Sequence, residues 1–296
     1  MVHRQRYHRT GRALLLALAL LAGRAAAGDW HRSGTLVCSD CHTVHNSQGG
    51  RPMRYDERSG VVPGLLRAED ATAVCLACHS GTRPTSRAPS VMSPSHWDPP
   101  GGGFPAEPAD PAHHAHALGA EPVLPPQGDT PVALTCVTCH ETHGNDAYRN
   151  LRADPSGAGR PAPAPQVDQL RRAGSGNPAE IYARANLVYV SGMSQWCMSC
   201  HNLVSAAHAS AGDLALDAHP WDRTLFGAAQ ADFAGWTAVS ANRVPVQNPL
   251  RRPPPDAADQ VFCLSCHKAH GSPADAALIS ADGVSRSSTC QQCHDV

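Results

Sequence analysis

The chain has 296 residues, with 24 basic and 25 acidic side chains, 26 prolines, 25 glycines and only 5% aromatic residues. This balance excludes a nucleic-acid-binding surface. So little aromatic surface beside so much proline and glycine also excludes an ordinary core of long regular elements.

Residues 1–27 read as a secretory signal peptide. Arg4, Arg6, Arg9 and Arg12 precede an uncharged apolar run, Ala13 to Ala22, and Ala25-Ala26-Ala27 supplies the small residues of a cleavage site. The run is too short to span a bilayer, which takes roughly 20 apolar residues. No later segment is apolar enough either, so no membrane span is expected after cleavage. Cleavage leaves 269 residues and removes five arginines and no acids, so the formal charge falls from −1 to −6.

The twelve cysteines then appear in six pairs, each closed by a histidine. They are Cys38/Cys41 with His42, Cys75/Cys78 with His79, Cys136/Cys139 with His140, Cys197/Cys200 with His201, Cys263/Cys266 with His267, and Cys290/Cys293 with His294. Cys-x-x-Cys-His is the attachment signature of c-type haem. Two thiols on one helical turn form thioethers to one haem, and the adjacent imidazole projects onto the iron. A zinc array or a disulfide framework does not require histidine at that position every time. Six covalently bound haem c groups are expected, at about 45 residues each (269/6).

The motifs alternate between a long and a short form. The first, third and fifth carry a second histidine three residues on, giving His42/His45, His140/His143 and His267/His270, whereas the others do not. This internal repeat divides the chain into dihaem modules over 28–95, 96–217 and 218–296. Ser95-His96-Trp97-Asp98 and Ala218-His219-Pro220-Trp221-Asp222 recur ahead of the second and third long motifs, with Asp29-Trp30-His31 as a looser match before the first. Residues 99–131, 154–163 and 245–257 read as proline- and glycine-rich connectors, and Asn186 to Val190 as a short strand. The fold class expected is mainly irregular, with short α-helices around covalently bound haems and little β-structure, the haems standing in for a core.

Ten histidines beyond the six in the motifs are available as second iron ligands: His31, His45, His96, His113, His114, His116, His143, His208, His219 and His270. The repeat selects two per module: His31 and His45, His96 and His143, His219 and His270. His116 or His113 is the alternative to His96, and His208 to His219. His45, His143 and His270 lie on the same helical face as their own motif histidine, so none can cross the haem plane to that iron. Each is expected to ligate a different haem and tie two haems into a compact pair. The methionines recur in no register, which favours bis-histidine ligation and potentials toward the low end of a range near 0.8 V.

The C-x-x-C-H-x-x-H-G form followed by a plain C-x-x-C-H resembles the doubled-CxxCH family of multihaem cytochromes. Cys136–Asn145 and Cys263–Ser272 match best, and Asn46 departs where glycine is usual. The resemblance implies electron transfer in the periplasm or at the cell surface, with other cytochromes or membrane oxidoreductases as redox partners. Some hexahaem relatives polymerise, so a homo-polymer is a further expectation. A reductase with one open iron is the enzymatic alternative. The final pair ends close to Val296, so its second haem is expected to take a ligand from upstream or from another subunit.

Overall fold

The computed structural model describes residues 31, 36–45, 47–81, 88, 90–92, 101–105, 114–119, 121–125, 128–159, 161–169, 187–201, 223–224, 245–251, 259–274 and 277–279. The signal segment and the third module's second motif, with Cys290, Cys293 and His294, lie outside them. So do His96, His113, His208 and His219.

The helices are short and centre on the cysteine motifs. They are α1 (Cys38–Cys41), α2 (Ala71–His79), α3 (Cys136–Cys139), α4 (Met193–Cys197) and α5 (Cys263–Cys266). The three long-motif helices start alike. The third residue of the motif turns back and accepts the N–H that precedes the helix, from Val37 to Asp40 (2.8 Å), Thr135 to Thr138 (3.0 Å) and Phe262 to Ser265 (3.1 Å). This satisfies a backbone donor that the helix start would otherwise leave unpaired. The longer α2 is capped by the Asp70 carboxylate, which accepts from Ala73 N–H at 2.8 Å.

A return segment then crosses each long motif, and its geometry repeats three times. His42 bridges Leu66, His140 bridges Leu151 and His267 bridges Leu278. The flanking N–H groups of Thr43, Glu141 and Lys268 donate to Leu65, Asn150 and Ala277 at 2.7, 2.7 and 2.8 Å. Those of Arg67, Arg152 and Ile279 donate to Cys41, Cys139 and Cys266 at 2.9, 2.9 and 2.6 Å. The residue that accepts the first of these bonds is left-handed each time, with φ of 55° at Leu65, 54° at Asn150 and 56° at Ala277. That conformation costs a non-glycine residue about 1–2 kcal/mol, and it is held by that bond and by the residue's own N–H, which donates to Val62, Ala147 and Ala274 respectively.

The sheets are small and antiparallel. Strand β1 (Ser47–Gln48) pairs with β2 (Arg51–Pro52), β3 (Gln166–Gln169) with β4 (Leu187–Ser191), and β5 (Arg223–Thr224) with β6 (Gln260–Val261). Gln247 bridges Tyr189 on one side and Gln260 on the other, so it links β4 to β6. The connector expected over 245–257 is therefore part of the interior at its start, where Gln247 and Asn248 are buried. The apolar core joins modules two and three: Leu151, Leu187, Tyr189, Met193, Phe262 and Leu264. Tyr189 meets Phe262 at 5.0 Å and Tyr148 edge-on at 6.0 Å. Among the described residues, Tyr148, Tyr189, Trp196 and Phe262 thus share one cluster. The 154–163 stretch is a defined turn where described, its Asp154 carboxylate accepting from Ser156 Oγ (2.7 Å) and Gly159 N–H (2.8 Å). Irregular chain with short helices and small sheets is the fold class expected. Among the described residues no helix is long and apolar enough to cross a membrane.

Candidate functional site

The cysteines of successive motifs meet in a row. Helix α2 packs on α3, and α4 on α5. Cys75 and Cys136 hydrogen-bond through their thiols, as do Cys197 and Cys263. Cys41 neighbours Cys78, and Cys139 neighbours Cys200. Second cysteines meet within a module, and first cysteines meet between modules. The described motifs therefore stand in sequence order along one line, with no motif skipped. The ten described cysteines are all free of disulfides.

Burial and thiol–thiol contact set the state of these groups. Burial pushes Cys139 up to about 12 and raises Cys41, with neighbouring thiols adding to both. The Cys197 thiol is raised by its hydrogen bond to Cys263 and then by burial. Cys75 is raised by its bond to Cys136, which is itself lowered to about 7 by the same contact.

The imidazoles fall into pairs. Ring centroids stand 6.2 Å apart for His42 and His143, 6.0 Å for His79 and His31, 6.3 Å for His140 and His270, and 6.0 Å for His201 and His116. Two imidazoles bonded to opposite sides of one metal at about 2.0–2.1 Å place their centroids roughly 6 Å apart. Each pair contains one motif histidine and one other, so the spacing and the donor chemistry fit an iron between them.

Backbone carbonyls set the ring orientation. His42 Nδ1 bonds Gly64 O at 2.8 Å, His140 Nδ1 bonds Arg149 O at 2.9 Å, and His116 Nδ1 bonds Ala269 O at 2.6 Å. A ring that donates from Nδ1 presents a neutral Nε2 lone pair, the form a metal binds. Burial favours the same neutral form. It lowers His31 and His140, and it lowers His270 to about 3, with His140 and Arg149 adding smaller contributions.

His270 is enclosed by a segment read from sequence as a connector. Gly101 O accepts the His270 N–H at 2.6 Å, the Gly102 backbone hydrogen-bonds the ring, and Phe104 stacks on it at 4.8 Å. A Cβ on Gly101 would lie 3.3 Å from His270 Nδ1, and one on Gly102 would lie 2.2 Å from Gly271 O. The run Gly101-Gly102-Gly103 is what admits the chain this close. The only sequence signal for this was the glycine triplet itself.

The pairing differs from the expected one in two respects. His143 meets the motif histidine of module one and His270 that of module two, so the extra histidines join modules rather than close a unit within one. His116, the alternative to His96, is the residue beside His201. His45 is exposed, and among the described residues its ring meets no other imidazole. It lines a 380 Å³ groove with Thr43, Val44, Ser47, Val61 and Leu65. Val44 and Val61 there are 77% and 69% exposed.

Comparison with known proteins agrees with the geometry. Residues 254–296 match the family model described as the doubled CXXCH motif. The C-type cytochrome OmcS of Geobacter sulfurreducens is 24% identical over a 356-position alignment that covers 86% of this chain and 81% of OmcS. The C-type polyheme cytochrome OmcC of the same organism is 27% identical over 197 positions, 59% of this chain and 22% of OmcC. Two solved structures share the fold over 84% of either chain. The outer membrane cytochrome S filament from Geobacter sulfurreducens gives a TM-score of 0.50 at 21% identity, and the OmcS nanowires a TM-score of 0.54 at 19%. With paired attachment motifs in a row and imidazoles set in twos, the chain carries the doubled-CxxCH motif over 254–296 and is similar to multihaem c-type cytochromes.

Proposed function

We propose that the chain is an exported hexahaem electron carrier, not an enzyme, made of three tandem dihaem modules. The register of the imidazole pairs carries this reading. Bound haem c supplies a one-electron ferric/ferrous couple, and two histidine ligands leave no open iron position for a substrate. The cysteines named above would hold each haem, and the histidine pairs that would ligate the irons are His42 with His143, His79 with His31, His140 with His270, and His201 with His116.

These sets follow two rules. A long-motif haem takes the extra histidine of the next long motif. A short-motif haem takes a histidine from the stretch ahead of its own module's long motif. By the second rule the haem of Cys290, Cys293 and His294 takes His219 from its own module, with His208, just ahead of that module, as the alternative. By the first rule His45, in the first of the three long motifs, serves the His267 haem of another copy. The exposed groove around His45 suits that contact, since an exposed apolar patch is a common feature of association surfaces. The two solved structures that share the fold, a filament and nanowires, are the same kind of assembly. The functional unit is then a homo-polymer at the cell surface, exchanging electrons with other cytochromes or membrane oxidoreductases.

The test is electron microscopy and sedimentation of the secreted protein beside its His45→Ala variant. Polymers are expected for the parent, and dispersed subunits with one high-spin haem for the variant. Polymers of the variant indistinguishable from the parent's would refute the assignment of His45. Carbon monoxide binding to the reduced, polymerised parent would refute the closed-iron carrier.

A further inference from the structure

A helix of four residues does not stand alone in water, because one turn makes too few bonds for the backbone order it demands. Its last carbonyls also have no partner within the helix. The three long-motif helices meet this need in two ways. Helix α5 buries Leu264 and Ser265. Leu264 belongs to the apolar core, and Ser265 Oγ donates to Pro245 O at 2.7 Å. Helices α1 and α3 bury no residue.

Each of those two turns is gripped by an arginine instead. The return segments place Leu66-Arg67 against α1 and Leu151-Arg152 against α3, whereas the third has Leu278-Ile279 at the same register. The Arg67 backbone N–H donates to Cys41 O at 2.9 Å, and its Nη1 reaches on to Ser39 O at 3.0 Å. Arg152 repeats both contacts, with N–H to Cys139 O and Nη1 to Val137 O, each at 2.9 Å. The second and fourth carbonyls of the turn are thereby held by one residue. In α1 the other two are also taken, Cys38 O by the His42 N–H and Asp40 O by the Tyr55 hydroxyl. The Arg67 guanidinium is itself anchored: Nε donates to Met53 O at 2.8 Å, and Cζ lies 4.3 Å from the Tyr55 ring centroid. Arg152 O accepts from Trp196 Nε1 at 2.7 Å, which ties its grip on α3 to α4.

We propose that Arg67 and Arg152 are positioning residues for the haems of the two exposed long motifs, fixing the turn that carries both thioethers and with it the plane of the motif imidazole. The proposal rests on haem attachment at these motifs. The same short segments hold the imidazoles, through Gly64 O on His42 Nδ1 and Arg149 O on His140 Nδ1. Two thiols and one ring are thus referred to a single stretch of chain, and the groups behind a metal-binding histidine set its orientation. A planar guanidinium suits the task, because its donors are fixed in one fork.

The experiment compares the full holoprotein with Arg67→Met, Arg67→Lys and Ile279→Met. Electron paramagnetic resonance of the ferric protein is recorded, and haem on each motif is measured by mass spectrometry of its peptide. Arg67→Met keeps the apolar stem and removes every side-chain donor. It is expected to act at one site, displacing one ferric haem signal or lowering haem on the Cys38/Cys41 peptide, with the other five as in the parent. Arg67→Lys keeps a donor for Ser39 O and is expected to return that site toward the parent. Ile279→Met removes no side-chain donor and is expected to leave spectrum and attachment unchanged. The proposal is overturned if Arg67→Met matches the parent in both measurements, or if Arg67→Lys lies no closer to the parent than Arg67→Met. It is equally overturned if Arg67→Met loses haem from all motifs alike, which would make Arg67 a folding residue alone. A parent with no haem on the Cys38/Cys41 peptide has a different meaning, since it removes the haem assignment itself.

Discussion

Replacing Gly102 by alanine isolates how the glycine triplet positions a haem ligand. The backbone there has φ +72°, which costs an alanine about 1–2 kcal/mol. The new methyl would lie 2.2 Å from Gly271 O and 2.6 Å from Lys268 Cβ. Neither neighbour is the flexible end of a side chain. Gly271 is itself tightly held: a carbon added to it would lie 2.5 Å from Ala115 Cβ and 2.8 Å from His114 O, and the adjacent Ser272 exchanges two backbone bonds with His114 at 2.9 Å. Overpacking of this kind adds about 1–3 kcal/mol, so the total is about 2–5 kcal/mol against a domain stability of about 5–15 kcal/mol. The least costly relief is for segment 101–104 to lift away from 268–272. That breaks the His270 N–H bond to Gly101 O and the Gly103 N–H bond to Gly271 O, 2.6 and 3.1 Å, and removes Phe104 from the His270 ring. His270 then no longer faces His140. Electron paramagnetic resonance of the ferric protein is expected to show one high-spin haem, with full haem content and a lowered melting temperature. Gly159→Ala is the control, at φ +71° with nothing within 4 Å of the added carbon. It carries the backbone cost alone and leaves the spectrum low-spin. A wholly low-spin spectrum for Gly102→Ala at the parent's melting temperature would refute the reasoning.

Other substitutions separate the core from the ligands. Phe262→Ala empties a site that is 1% exposed and packed on Tyr189, and it is expected to cost about 3–5 kcal/mol in thermal unfolding without changing the ligand field. Asp70→Ala removes the cap of α2, for a loss of about 1 kcal/mol and no change in haem number by mass spectrometry. His116→Ala is expected to open one iron, seen as carbon monoxide binding to the reduced protein, whereas His114→Ala, two residues away, leaves all irons closed.

The attachment sites were legible because their chemistry demands adjacency: two thiols and an imidazole must lie on one turn, and spacing alone reveals it. The extra histidines stood out as ligand candidates for the same reason, their fixed offset from His42, His140 and His267. Which motif histidine His143 and His270 meet was not legible. An offset along one helix identifies a face, not the motif that packs against it, and His143 meets His42 only because the cysteine row stacks the modules in order. The return segments were hidden because their left-handed residues, Leu65, Asn150 and Ala277, carry no glycine to mark them. The strand near 187–191 was visible in the run Leu-Val-Tyr-Val, whereas Gly101–Phe104 was taken for a connector because glycine reads as freedom as readily as close approach.

Donating a ligand forward to the preceding module has a combinatorial consequence. On the proposed ligand sets, each module leaves its own long-motif haem incomplete and completes the one before it, so the two joints use the same exchange of ligands although their packing differs. Removing residues 96–217 as a block would bring the His270 end of the chain against the His42 end with the same complementary parts, one imidazole offered and one wanted. Duplicating the block would lengthen the row by two haems and create no new kind of contact. Gene duplication could therefore change the reach of such a protein in steps of one module, without first inventing a new interface.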